Sequence, residues 1–104
     1  MASLRYIHEK LSDALYLITV HEGDACTRLA RALPKLILSP DSFPAEVRED
    51  FKWVMSILEK GSKTSNPNVF PSKIRGIQNR TARKVIEKLV YINYIVAESI
   101  HDKS

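Results

Sequence analysis

The sequence predicts an all-α fold, a single domain over residues 1–104 built as a four-helix up-down bundle. Apolar residues recur three and four positions apart in four separate segments, as they do in helices that bury one stripe. No stretch shows the every-second-residue alternation of a half-buried strand. The connections after the first two helices are short, which favours antiparallel neighbours. The helices are expected over residues 3–21, 25–38, 44–60 and 72–101.

The first helix starts at Ser3, a good N-cap, and sets Leu4, Ile7, Leu11, Ala14, Leu15 and Ile18 on one stripe, with Arg5, Glu9 and Asp13 opposite. The second turns Ala25, Leu29, Ala32, Leu33 and Leu36 inward, and Pro34 is expected to kink or shorten it. "SPDSFP" then forces a turn. Pro44 suits the first turn of the third helix, and Glu46 complements its positive end. Val47, Phe51, Val54, Met55 and Leu58 face inward there, and Gly61 is expected to close the helix as a C-cap. "GSKTSNPNVFP" is a polar connector, long for a compact domain. Ser72 is the expected cap of the last helix, with a weak point at Gly76.

With 44 % hydrophobic and 27 % charged residues, the chain has enough apolar side chains for one modest core and is not a disordered sequence. No segment approaches the ~20 apolar residues that span a bilayer. The start "MASLRYIHEK" lacks the apolar core of a signal peptide, and the single cysteine cannot form an internal disulfide. A cytoplasmic protein is expected. The net charge of +4 is unevenly spread: residues 41–60 carry five acids and three bases, whereas residues 72–88 carry six bases and one acid.

"HEGDAC" gathers His21, Glu22, Asp24 and Cys26 in six residues, the densest set of potential ligands in the chain. A zinc site on a helix needs ligands that converge, as at i and i+4 on an unbroken turn. Four residues after His21 stands an alanine, and Gly23 interrupts the spacing of Glu22 and Cys26. Asp24 is the natural N-cap of the second helix, with Glu22 adding charge at the same end. Cys26 could be activated by the helix start, but a small buried hydrophobe is the stronger reading. The segment is therefore expected to be a hinge, with no catalytic residue, metal ligand or cofactor. Three glycines in no phosphate-binding pattern and three scattered histidines give an enzyme no further support.

The last helix carries most of the functional information. At about 100° per residue, Lys73, Arg80, Lys84 and Lys88 share one arc, and Ile74, Thr81, Val85, Leu89, Ile92 and Val96 share the core stripe. "VIEKLVYINYIVA" is apolar almost all round, so either this helix runs through the middle of the bundle or it has apolar surface to spare. In the third helix Trp53 and Ile57 also lie off the core stripe. Trp53, Ile57, Tyr91, Tyr94 and Ile95 are thus the candidate partner interface, best explained by a homodimer, with a protein partner also possible. The alternative is nucleic-acid or phosphate contact by Lys73, Arg75, Arg80, Arg83, Lys84 and Lys88. A parallel row of Arg28, Arg31 and Lys35 would assist, with Gln78 and Asn79 hydrogen bonding and the tyrosines stacking. It is the less favoured reading, because the excess charge is modest and no recognition motif accompanies it.

"GDACTRLARAL", "SPDSFPAEVREDFKWVM" and "QNRTARKVIEKL" resemble segments of small uncharacterised bacterial all-helical proteins. The resemblance implies a bacterial, cytoplasmic protein and brings no named family, activity or site residue. The sequence thus points to a small non-enzymatic interaction or regulatory protein, acting through self-association and a macromolecular partner.

Overall fold

The computed structural model describes residues 3–64, 66 and 69–102. Helices form where the apolar period demands them: α1 (Leu4–Val20), α2 (Ala25–Ala32), α3 (Ala45–Gly61) and α4 (Asn79–Asp102). Two single-turn 3-10 segments, Leu33–Lys35 and Pro40–Ser42, lie between α2 and α3, and no strand occurs among the described residues. The Ser3 hydroxyl caps α1 by accepting from the Tyr6 amide at 3.1 Å, and the chain leaves that helix at His21, whose N–H still reaches the Leu17 carbonyl at 3.1 Å.

Contacts between helices fix their directions. Asp13 pairs with Lys35 at 3.8 Å and Arg28 Nη1 donates to the Ile18 carbonyl at 3.3 Å, so the chain from α2 into the 3-10 turn runs antiparallel to α1. His8 Nδ1 donates to Asn93 Oδ1 at 2.8 Å, while Ile18 lines a hollow with Arg83 and Ile86, so α4 is also antiparallel to α1. Asp50 pairs with Lys88 at 3.2 Å, and Lys60 lies beside the segment 75–77, so α3 opposes α4 as well. The result is an up-down bundle in which α4 packs against each of the other three helices.

The core is one cluster. Ile7, Leu11, Ala14 and Ile18 come from α1, Val47, Phe51, Val54 and Leu58 from α3, and Ala82, Val85, Leu89, Ile92 and Val96 from α4. From α2 and the turn after it come Ala25, Leu29, Ala32, Leu33 and Leu36. Phe43 joins them from the proline-rich turn, stacked on Phe51 with ring centroids 4.1 Å apart.

Two boundaries differ clearly from the sequence reading. Helix α2 stops at Ala32 rather than near residue 38, because Pro34 has no N–H for the ladder and the chain tightens into a 3-10 turn. Helix α4 starts at Asn79, not at Ser72. The residues ahead of it are drawn elsewhere: Ile74 N donates to the Cys26 carbonyl at 3.1 Å, Arg75 N to the Gly61 carbonyl at 2.9 Å, and Gly76 turns left-handed at φ 82°. A right-handed helix cannot pass through that angle. Ile74 therefore reaches the core from this segment rather than from a helical stripe.

Gly61 is the last residue of α3 and not a left-handed cap; among the described residues only Gly23 and Gly76 have positive φ. Its missing side chain makes room for the returning chain. A Cβ there would stand 2.5 Å from Ile74 Cγ2 and 2.7 Å from the Arg75 carbonyl oxygen. Alanine at an exposed helical position ordinarily stabilises by about 0.5–1 kcal/mol over glycine. Gly61→Ala should do the reverse and cost about 1–3 kcal/mol, the usual range for overpacking. A urea titration reads the sign, and a stabilised variant would show that the Gly61–Ile74 approach is not tight.

Candidate interaction surface

The HEGDAC junction is built as a joint between elements. Gly23, at φ 113°, turns the chain after α1, and Asp24 Oδ1 accepts from the Thr27 amide at 2.9 Å, the expected N-cap. A second side chain caps the same helix from across the fold: Asn79 Oδ1 accepts from the Cys26 amide at 3.2 Å. Asn79 Nδ2 and Lys73 Nζ both reach Asp24 Oδ2, at 3.4 and 3.2 Å, so the starts of α2 and α4 share one polar knot. The Thr27 hydrogen bonds are the chief cause, with Lys73 and Asn79 adding to them, of an Asp24 pKa far below the usual carboxylate range. Cys26 is buried beneath this knot, its thiol 3.7 Å from the Ile77 carbonyl, and burial with Asp24 nearby raises its pKa, the opposite of the shift that activates a thiol. His21 and Glu22 are exposed. Among the described residues no three His, Cys, Asp or Glu side chains stand close enough to hold a metal ion.

The six bases do not form one helical ridge. Lys73 and Arg75 precede α4, so they cannot continue the arc of Arg80 and Lys84, and Lys73 is held by Asp24. Lys88 is held by Asp50, and its ammonium lies 5.8 Å from the centre of the Tyr91 ring. Arg80, Arg83 and Lys84 are exposed and make no ion pair among the described residues. The second row is likewise dispersed: Arg28 is bonded to the end of α1, and Lys35 pairs with Asp13. Asn79, a candidate for reading bases, is committed to α2.

What remains is the outward face of α4. Its core stripe leaves the opposite side open, and there Val90 is 53 % exposed, Tyr91 46 % and Tyr94 60 %. Trp53, 40 % exposed, borders a shallow hollow between α3 and α4 with Lys84, Glu87, Lys88 and Tyr91. Ile57 and Ile95 are partly buried against the core, so they edge this surface rather than form it. Val90 was not among the expected interface residues; at about 100° per residue it lies just beyond Arg83, on the side away from the two tyrosines, and its exposure adds it to the surface. Among the described residues no helix is long and apolar enough to cross a membrane.

The polar knot has a pH signature. A carboxylate whose folded pKa is depressed stabilises the fold above its unfolded pKa, and that contribution is lost as pH falls through the window below about 4. Asp24→Asn keeps a capping oxygen but has no charge to protonate. The variant should be less stable than the parent at pH 7, and the gap should narrow on acidification. Urea midpoints at neutral and acid pH measure this; a gap that stays constant would remove Asp24 from the account. No protein-family model matches the chain, and no curated protein and no solved structure matches it significantly.

Proposed function

We propose that this is a small non-enzymatic interaction protein that associates with a second copy of itself through the outward face of α4 and the neighbouring Trp53. The observation that supports this most is the run of Val90, Tyr91 and Tyr94 on adjacent turns, all substantially exposed and bordered by Trp53. Fully burying one large apolar side chain contributes about 1.5–3 kcal/mol. These four are already half-covered, so eight of them across a two-fold interface recover on the order of 6–12 kcal/mol. Association costs roughly 4–15 kcal/mol in lost freedom. The balance suits a reversible dimer whose strength comes from rings rather than ions, since an exposed ion pair adds only about 0.2–1 kcal/mol. Tyrosine serves well at such a contact, because its hydroxyl stays hydrogen-bonded at the rim while the ring is covered.

A second reading is supported by Arg80, Arg83 and Lys84 having no ion-pair partner among the described residues: contact with a phosphate backbone. Its affinity would fall steeply with salt.

Light scattering at micromolar concentration tests the leading proposal. A mass near twice 11.8 kDa is expected, falling to 11.8 kDa in Trp53→Asp or Tyr94→Asp with helicity retained. A parent chain that stays at 11.8 kDa would sink it.

A further inference from the structure

The outward face of α4 has a symmetry of its own. Reading from the midpoint between Val90 and Tyr91, most exposed positions of α4 have an exposed position at the same distance toward the other end; Lys84, opposite half-buried Ala97, does not. Val90 mirrors Tyr91, Glu87 mirrors Tyr94, and Arg83 mirrors Glu98. Mirrored positions are common to any regular helical stripe, so it is the side chains standing at them that favour the same face, turned end for end. The chemistry of the mirrored positions agrees. Apolar side chains meet at the centre, a carboxylate meets a phenol hydroxyl one turn out, and a guanidinium meets a carboxylate two turns out.

The same face in a parallel pairing would set each residue against its own copy, Arg83 on Arg83 and Glu87 on Glu87. Like charges would then face each other at its three charged positions, 83, 87 and 98. Apolar contact supplies the adhesion in either orientation, so it is the charges that choose the direction.

We infer that two copies of this chain pair through α4 in antiparallel register about a two-fold axis between Val90 and Tyr91, with Arg83 of each copy against Glu98 of the other. This rests on the self-association proposed above and adds its geometry. Trp53 lies at the edge of the seam, close enough to be covered and too far to the side to set the register.

Cysteine cross-linking under mild oxidation tests the register. A disulfide needs Cα atoms about 4.4–6.8 Å apart. At about 1.5 Å per residue, two copies of position 83 would be separated by roughly 22 Å along the antiparallel seam. Val90→Cys should therefore cross-link to itself. Arg83→Cys should not, but should link to Glu98→Cys when the two chains are mixed. The parent chain, whose Cys26 is buried, is the blank. These positions are exposed, and circular dichroism checks that each variant is folded. As an independent readout, Arg83→Glu and Glu98→Arg should each weaken the dimer severalfold, and the double exchange should restore it to within about twofold, as expected for a direct charge pair. Arg83→Cys linking to itself as readily as Val90→Cys would overturn the antiparallel register. A dimer by mass in which none of the three cysteines links would overturn the choice of face while leaving self-association in place. A chain that stays monomeric and instead binds duplex DNA at low salt would assign the face to nucleic acid and overturn both.

Discussion

Ala82, Val85, Leu89, Ile92 and Val96 of α4 are packed from three directions at once, and the rest of the architecture follows from that sharing. A small chain has too little core to give each pair of helices its own interface. Here α1, α2 and α3 all use the same stripe, so α4 must be long, must run the length of the bundle, and must begin at a fixed place. The polar knot at its start fixes that place. Asn79 caps α2 while standing in the first turn of α4, and Asp24 holds Lys73 and Asn79 in turn. On the opposite side, Gly61 lets the chain come within contact of the end of α3. The starts of α2 and α4 and the end of α3 are thereby tied at one end of the molecule.

Concentrating the core on one stripe of α4 has a consequence on the other side. Helices α1 and α3 flank α4 without closing over it, and the uncovered strip carries charge at its ends and rings at its centre. An uncovered helix normally turns polar residues to water. Val90, Tyr91 and Tyr94 do not conform, although the Tyr91 ring also takes the Lys88 ammonium at 5.8 Å. In the proposed function they are surface kept for a partner, and that proposal rests on this strip rather than on the ligand-rich HEGDAC segment.

The fold was largely legible in the sequence because local period and core burial agree along α1, α3 and the middle of α4. The Ser3 and Asp24 caps could also be read, since capping depends on residues three positions apart. Misread features depended on distant partners. Ser72 reads as a cap and Ile74 falls on the apolar stripe, so the local pattern extends the last helix backwards; hydrogen bonds from residues 74 and 75 to Cys26 and Gly61 cannot be seen from local spacing. The same error placed Lys73 and Arg75 on a ridge they do not share. Phe43 was overlooked because its neighbourhood reads as a turn, and nothing local indicates that a turn residue will stack on Phe51. Trp53, Tyr91 and Tyr94 were recognisable as surplus to the core stripes, whereas the demotion of Ile57 and Ile95 to its margin needed the packed structure.

The four tyrosines offer the most direct measurement of whether the α4 face is covered by a second copy. Tyr6 and Tyr16 are exposed on α1, and Tyr91 and Tyr94 are comparably exposed on α4, so each pair is a control for the other. Hydroxyl-radical footprinting across a concentration series should show Tyr91 and Tyr94 becoming protected as the chain associates, with Tyr6 and Tyr16 modified equally throughout. Protection of Tyr6 and Tyr16 instead, or equal modification of all four at concentrations where the mass has doubled, would contradict the account.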